Sequence, residues 1–247
     1  MIENRPGGYR FLPGLAFASQ GVVAADDMAI ERGCFPSALP LADGFNAVRA
    51  AVEELGRPLQ ALCGFDLRLP AARRLDDFLS FNNEYLDQLK SWDLLEGESS
   101  PLARTNVAPI DGEIETPAVI GFSYTVPRAT TARTFVISGA PEVPDDATGP
   151  DDVIRLGETD PGALTEKLAY VVGNLKTRLS AMQLSWNNDA TIHLYTAHDA
   201  CRLLDEILAR ERISPAFGIT WHKAAPPVDL LELEIDLRRY QQERIIN

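Results

Sequence analysis

Thr134-Phe135-Val136-Ile137-Ser138-Gly139-Ala140-Pro141 has a counterpart near the start of the chain, and this pair of stretches decides the fold. The counterpart is Met28-Ala29-Ile30-Glu31-Arg32-Gly33-Cys34-Phe35-Pro36. Each is a mainly apolar run that ends in a glycine with a proline close behind it. Each is followed by a loop, an amphipathic helix, a strand, a second helix and further strands. A plan that recurs along a chain indicates structural repeats, so the sequence predicts two copies of one unit.

The first copy contains the short strands and amphipathic helices of this plan. Its strands are predicted at 11–25, 28–35, 59–69, 106–110 and 118–126, and its helices at 44–55 and from 76 onward. The second copy has the most regular helix, at 164–179, with leucine or valine at every third or fourth position. Further strands are predicted at 135–137, 191–196, 218–223 and 228–237, with a helix that Asp199 caps and that runs to 208.

Each half is therefore ββαβαββ or close to it. Strands collected into one mixed sheet with both helices on one face make an α+β domain. We predict two tandem domains of this kind, at 1–127 and 132–247. The polar linker between them is too short to act as a flexible tether, so the two domains are expected to pack against each other.

The composition limits the partners of the protein. The net charge is −13 over 247 residues, which disfavours a nucleic-acid partner because such binding depends on Lys and Arg side chains that neutralise phosphates. A small anionic substrate must then be bound by a locally placed arginine. No apolar run approaches the roughly 18 residues that a membrane-spanning helix needs, so no membrane partner is predicted.

The three cysteines, Cys34, Cys63 and Cys201, are far apart and form no CxxC pair. This pattern favours reduced thiols and a cytoplasmic location over a disulfide framework or a zinc site. The first residues lack a basic region followed by an apolar core, so no secretory signal is predicted.

Several short motifs, taken in their order, resemble those of the Rid (reactive intermediate deaminase, or YjgF) family. The second half carries the strand 135–141, then Ser214-Pro215-Ala216-Phe217, then Leu231-Glu232-Leu233-Glu234-Ile235. The first half carries the Gly33-Cys34 loop, then Leu102-Ala103-Arg104-Thr105, then the strand 119–124. Asn82-Asn83-Glu84-Tyr85 is similar to the Asn-x-x-Tyr of the family's second helix. The resemblance covers nearly the whole chain as two diverged copies.

The resemblance implies a chorismate-mutase-like fold in each domain and an assembly with ligand sites in clefts between subunits, here a homo-oligomer, a trimer of two-domain chains. It implies hydrolysis of enamines and imines of 2-amino acids to 2-oxo acids and ammonia. The length and the two-domain plan are similar to those of the 2-aminomuconate deaminases of nitroaromatic catabolism.

Arg104 is the first candidate for the site. It matches the carboxylate-binding arginine of the family, and a planar guanidinium binds a carboxylate through two parallel hydrogen bonds. Glu234 matches the family's V-E-I-E strand, with Glu232 on the same strand face because residues two apart share a face. A carboxylate there can accept a proton from a water molecule that attacks the C=N carbon. A solvated strand face is the alternative interpretation for both glutamates.

The two copies have kept different parts of this pattern. The first has Arg104 but Gly121 and Ser123 at the glutamate positions, and the second has the glutamates but Phe217 at the arginine position. Two hypotheses follow. Either a site in the first copy works without a glutamate, with Ser123 or Tyr124 positioning the water, or a composite site forms across a domain interface.

Other substrate-binding candidates come from the same resemblance. Gly33 and Cys34 match a loop whose backbone approaches the ligand, and Asn82 matches a residue that could hydrogen-bond to it. Asn106 replaces a cysteine common in the family and could meet a second substrate carboxylate. His193, His198 and His222 show no metal-ligand spacing, and no nucleotide-binding or serine-hydrolase motif is found, so neither a metal nor a cofactor is predicted.

The leading hypothesis is a cofactor-independent deaminase that acts on a small anionic 2-amino or 2-imino acid such as 2-aminomuconate. Arg104 would hold the C1 carboxylate while water adds to C2 and ammonia leaves. A broad-specificity 2-imino acid deaminase and a non-catalytic ligand-binding oligomer are the alternatives.

Overall fold

The computed structural model describes residues 1–112 and 114–246, and these form four helices and thirteen strands. The helices are α1 (Leu41–Glu54), α2 (Leu75–Ser91), α3 (Pro161–Ala181) and α4 (Cys201–Arg210). The strands of the first half are β1 (Ile2–Asn4), β2 (Tyr9–Leu12), β3 (Gly21–Ala24), β4 (Met28–Pro40), β5 (Leu62–Arg68), β6 (Ala103–Pro109) and β7 (Ala118–Pro127). Those of the second half are β8 (Phe135–Pro141), β9 (Thr191–Thr196), β10 (Ile219–His222), β11 (Ala224–Ala225), β12 (Leu233–Arg239) and β13 (Gln242–Ile245).

The strands form two sheets, which confirms the α+β class. One sheet has the order β11-β6-β5-β7-β4-β13 and the other β1-β2-β3-β8-β12-β9-β10. Both are mixed, because β5 pairs with β6 and β9 with β10 in parallel while most other neighbours are antiparallel. The central strands of each sheet come from one half of the chain, but the edges are exchanged. The first three strands extend the second-half sheet, and β11 and β13 extend the first-half sheet.

Two helices cover the outer face of each sheet. Apolar side chains of α1 and α2, such as Val48 and Phe81, pack on the first-half sheet, and those of α3 and α4, such as Leu168 and Leu204, pack on the other. The α3 helix begins cleanly because the side chain of Asp160 accepts hydrogen bonds from two of its first backbone N–H groups.

The inner faces of the two sheets pack against each other through polar as well as apolar contacts. Thr105 on β6 donates a hydrogen bond to Asp236 on β12 (2.7 Å), and Asp66 on β5 accepts one from Arg238 (2.9 Å). Side chains alternate along β12, so Leu233 and Ile235 enter the helix-side core while Glu234 and Asp236 face the first-half sheet. This packing places residues of the two halves side by side.

Three sequence predictions about the elements were wrong. The predicted strand at 11–25 is interrupted by a loop, because Pro13 has no backbone N–H to donate to the ladder. The segment before Leu233 follows two prolines and pairs with Arg73 instead of extending the last long strand. Asp199 does not cap α4, whose N-cap is Ala200.

Helices of the membrane-spanning kind, long and apolar throughout, are not found in the ranges that the structure describes.

Candidate active site

A cavity of about 420 Å³ lies where β6 and α2 of the first half meet β8, β12 and α3 of the second half. Arg104 and Glu234 both line it. The structure therefore brings together the two residues that the sequence placed in different copies, and it does so within a single chain.

Arg104 is held on β6 by three aromatic rings. Its guanidinium carbon lies 4.5 Å from the ring centre of Phe17, 4.9 Å from that of Tyr85 and 5.7 Å from that of Phe78. Aromatic faces attract a cation while leaving its N–H groups free for other partners. The Nη1 atom of Arg104 is buried and has no hydrogen-bond partner among the described residues. The arrangement fixes the cation and leaves a donor for a ligand.

Burial lowers the pKa of Arg104 to about 10, with Tyr85 and Glu234 acting in the opposite direction. The guanidinium therefore stays charged at neutral pH. A buried charge without a protein partner is costly, and a bound carboxylate would satisfy it.

Glu234 projects from β12 into the same cavity and is 4% exposed. Burial raises the pKa of its carboxyl to about 8, and the nearby charge of Asp236 raises it further, against the lowering effect of Arg104. At neutral pH the group is therefore mostly a neutral acid. The sequence predicted a base at this position, whereas a carboxyl that is neutral at rest can donate a proton before it accepts one.

A bulge in β8 makes room for this carboxyl. Ile235 pairs with Ala140 and Leu237 with Ile137, so Ser138 and Gly139 together oppose Asp236 alone. Such bulges often lie next to active sites, where they redirect side chains. A Cβ atom at Gly139 would overlap the carboxyl group of Glu234, so a larger residue there would displace this carboxyl from its present position.

Ser138 connects the two halves at the edge of the cavity. Its hydroxyl accepts a hydrogen bond from the backbone N–H of Arg104 (3.0 Å) and donates one to the carbonyl of Ser19 (2.6 Å). Both contacts reach the first half of the chain, so this residue holds β6 in place beside β8.

Asn106 also lines the cavity, two residues after Arg104 on the same strand. Its side chain is buried, and neither its amide nitrogen nor its amide oxygen has a partner among the described residues. It is available to a ligand as a donor and an acceptor.

Four of the predicted residues lie outside the cavity lining. Gly33 and Cys34 belong to β4, where β13 covers them by pairing Arg244 with Gly33 and Ile245 with Cys34. Ser123 is hydrogen-bonded to the hydroxyl of Tyr240 (3.0 Å), and Tyr124 donates to Glu31 (3.2 Å). The C-terminal strand β13 thus pairs along β4 beside Gly33 and Cys34, a long-range contact that local sequence patterns do not indicate.

Two further candidates also lie outside it. Asn82 is buried on α2, and both of its amide atoms lack a partner among the described residues. Glu232 precedes β12 and is bonded to His198 (2.8 Å). Phe217, at the second copy's arginine position, is 69% exposed. Clusters of three or more metal-ligating side chains are not found in the described ranges.

Sequence reasoning missed three parts of the site. Ser138 and Gly139 belong to the second copy's family motif in the sequence, whereas the prediction named the matching pair of the first copy, Gly33 and Cys34. Phe17 belongs to the loop that was predicted as strand. Arg178 on α3 lines the cavity and is buried, and the helical pattern alone gives no sign of this.

Comparison with known proteins shows the family to which the chain belongs. The sequence model of a family described as 2-aminomuconate deaminase CnbZ matches residues 1–244. The chain belongs to this family. A relative, the 2-amino-5-chloromuconate deaminase of Comamonas testosteroni, is 34% identical over an alignment of 248 positions. The alignment covers 98% of this chain and 97% of the relative. The resemblance to aminomuconate deaminases inferred from the sequence is confirmed.

Similar folds occur among solved structures. A chorismatase matches 89% of this chain and 77% of its own with a TM-score of 0.50 and 13% identity, which shows a likeness of fold alone. RidA from the Antarctic bacterium Psychrobacter sp. matches 46% of this chain and 90% of its own with a TM-score of 0.31 and 18% identity.

Proposed function

We propose that this CnbZ family member is a hydrolytic deaminase that converts 2-aminomuconate, with or without a chlorine substituent, to the 2-oxo acid and ammonia. One observation carries the proposal: the buried side chains of Arg104 and Glu234 face the same cavity, and Nη1 of Arg104 has no hydrogen-bond partner among the described residues. The family and the relative from Comamonas testosteroni support the substrate class.

Substrate binding follows from the state of Arg104. The C1 carboxylate, next to the amino-bearing C2 carbon, supplies the anion that the buried guanidinium lacks. Charge-assisted bonds of this kind are among the strongest in proteins, and the three rings around the guanidinium fix its direction.

Glu234 then performs the proton transfers. Its neutral carboxyl protonates a carbon of the dienamine, which gives the 2-iminium ion and leaves a carboxylate. That carboxylate accepts a proton from water as the water oxygen bonds to C2, giving a carbinolamine. The regenerated acid protonates the amino nitrogen, and the C–N bond breaks as the hydroxyl proton returns to Glu234. The products are the 2-oxo acid and ammonia, with the enzyme unchanged.

The pKa of about 8 suits this exchange of roles, because a group that both donates and accepts protons works best when its pKa is near the working pH. The iminium carbon is already electrophilic, so the proposed steps use only side chains of this chain.

The direct test is ammonia release by the purified protein from freshly prepared 2-aminomuconate, followed together with loss of the dienamine absorbance. We expect equal amounts of ammonia and 2-oxo acid. Loss of the dienamine at the uncatalysed rate, with no added ammonia, would contradict the proposal.

The family resemblance also supports a homotrimer in the cytoplasm, serving the breakdown of aromatic compounds, as part of this proposal. Light scattering should then give three times the chain mass of 27.1 kDa. A mass of two chains would contradict the trimer.

A further inference from the structure

Arg178 is a second arginine of the cavity, and the steps proposed above do not use it. It lies on α3 and is 4% exposed. Arg104 reaches the cavity from the first half and Arg178 from the second, so two cations from different elements line the same cavity. Both guanidinium groups influence the carboxyl of Glu234 electrostatically, which places the three side chains in one neighbourhood.

The guanidinium of Arg178 uses two of its three nitrogens in hydrogen bonds to the protein. One nitrogen, Nη1, donates to the carbonyl of Ser138 (3.3 Å), and Nη2 donates to the carboxylate of Asp145 (2.7 Å). The third, Nε, is buried without a partner among the described residues. The bond to Ser138 fixes the guanidinium beside the bulge. The Nε–H group still lacks an acceptor among the described residues.

Asp145 shows that a carboxylate fits at this position. Its side chain is 41% exposed, against 5% for the side chain of Arg178. It lies in the loop after β8, which lines the cavity together with Thr148 and Val153. A partly exposed loop carboxylate can return to water when it leaves the guanidinium, and a second carboxylate in its place keeps the buried cation paired.

We infer that Arg178 binds the second, distal carboxylate of a dicarboxylate substrate and that this carboxylate replaces Asp145 on the guanidinium. The inference rests on the proposed function and deepens it, since it assigns selection for six-carbon dicarboxylic acids over monocarboxylic imines. The cavity, of about 420 Å³, is in the size range of small-molecule sites, and both arginines line it. The sequence assigned the second carboxylate to Asn106. In this arrangement Asn106 instead hydrogen-bonds the amino group on C2 or the attacking water.

The experiment measures binding by titration calorimetry with two unreactive probes, cis,cis-muconate, which has two carboxylates, and sorbate, which has one. The variants are Arg178→Met and Asp145→Asn, with Lys176→Met as the control, because Lys176 lies on the same helix, is exposed and pairs with Glu211. Circular dichroism and thermal melting establish that each variant is folded.

We expect Arg178→Met to weaken muconate binding by roughly 10- to 100-fold, as loss of bonds to a charged group predicts, with sorbate binding unchanged. Asp145→Asn should tighten muconate binding because it removes the competing carboxylate, and Lys176→Met should change neither probe. Equal loss of both probes in Arg178→Met, or weaker muconate binding in Asp145→Asn, would overturn the inference. If Arg178→Met fails to fold, Asp145→Asn decides.

Turnover separates this inference from the proposed function. If the wild type releases no ammonia from 2-aminomuconate, the proposed function fails. If it does, Arg178→Met should lose activity on 2-aminomuconate while keeping whatever activity the wild type has on 2-iminopropanoate. An equal loss on both substrates would overturn the inference alone.

Discussion

Glu234 and Asp236 lie two residues apart on the same face of β12, and both are buried, yet their surroundings give them opposite properties. Burial raises the pKa of Glu234 to about 8. Burial acts on Asp236 in the same direction, but the charge of Arg238 outweighs it, so the pKa of Asp236 lies below its usual value. The two pKa values therefore differ because of the charged neighbours of each carboxyl, and not because of how deeply each is buried.

The Asp236 side of the strand is a closed network. Asp236 accepts hydrogen bonds from Thr105 (2.7 Å), Tyr195 (3.0 Å) and Arg238 (2.6 Å), and Arg238 also binds Asp66. The Glu234 side is open, with donors on Arg104, Asn106 and Arg178 that have no partner in the part of the chain that the structure describes. One interface between the two halves therefore carries both a fully paired cluster and a cluster with polar groups available to a ligand.

The largest effect is expected from Arg104→Ala, since it removes a buried cation that the substrate carboxylate needs. We expect kcat/KM for 2-aminomuconate to fall by roughly 1,000-fold, and Arg104→Lys to restore little because an ammonium cannot form the paired bonds. Steady-state kinetics on both variants measures this. Activity within threefold of wild type in Arg104→Ala would exclude the residue from the site.

Glu234→Gln should lower kcat by about 100- to 1,000-fold through loss of proton transfer. Because the free enzyme needs the protonated acid, kcat/KM of the wild type should decline as pH rises through about 8. The residual activity of the variant should lack that decline. A pH–rate profile from 5 to 10 tests both points, and an unchanged profile in the variant would assign the proton transfers to another group.

Asp236→Asn should affect stability instead of chemistry. It leaves Arg238 with a weaker set of partners, and breaking a buried ion pair costs about 3–5 kcal/mol. The depressed pKa means that the contribution of Asp236 is present above its ordinary pKa and is lost only as pH falls through the folded value. Urea unfolding at pH 7 measures the loss. A variant as stable as wild type would refute the structural role.

Gly139→Ala should lower activity by about 10- to 100-fold, because the added methyl group displaces the carboxyl of Glu234 and small misplacements are costly. Gly173→Ala is the matched control, since nothing lies near a Cβ at that helical position. Equal activity in the two variants would contradict this, because it would show that the carboxyl of Glu234 is not displaced by a methyl group at position 139.

The smallest effect is a pH-dependent gain in stability of Glu234→Gln. Between pH 4.5 and about 8 the folded state holds a proton that the unfolded chain has released, so wild-type stability falls as pH rises through that window. The variant lacks this loss, so its melting temperature relative to wild type should rise from pH 4.5 to pH 8. A constant difference would mean that the pKa is not raised.

Much of this organisation could be predicted from the sequence, because apolar periodicity and short motifs are local signals. The repeat and the α+β class follow from the order and periodicity of the elements, and Arg104 and Glu234 from motifs that resemble those of the Rid family. The exchange of edge strands could not be predicted, since it depends on distant pairings such as Ile246 with the carbonyl of Cys34. Both glycine-containing pairs, Gly33-Cys34 and Ser138-Gly139, match the same family motif, and only the long-range pairing of β13 with β4 and the position of the cavity distinguish them.

Coexpression of Arg104→Ala with Glu234→Gln tests the central claim most directly, namely that the two halves of one chain form the site. In a site shared between chains, a mixed oligomer would combine an intact Arg104 from one chain with an intact Glu234 from another. The composite intrachain site predicts ammonia release no higher than that of either variant alone. Restoration to a substantial fraction of wild-type activity would contradict it.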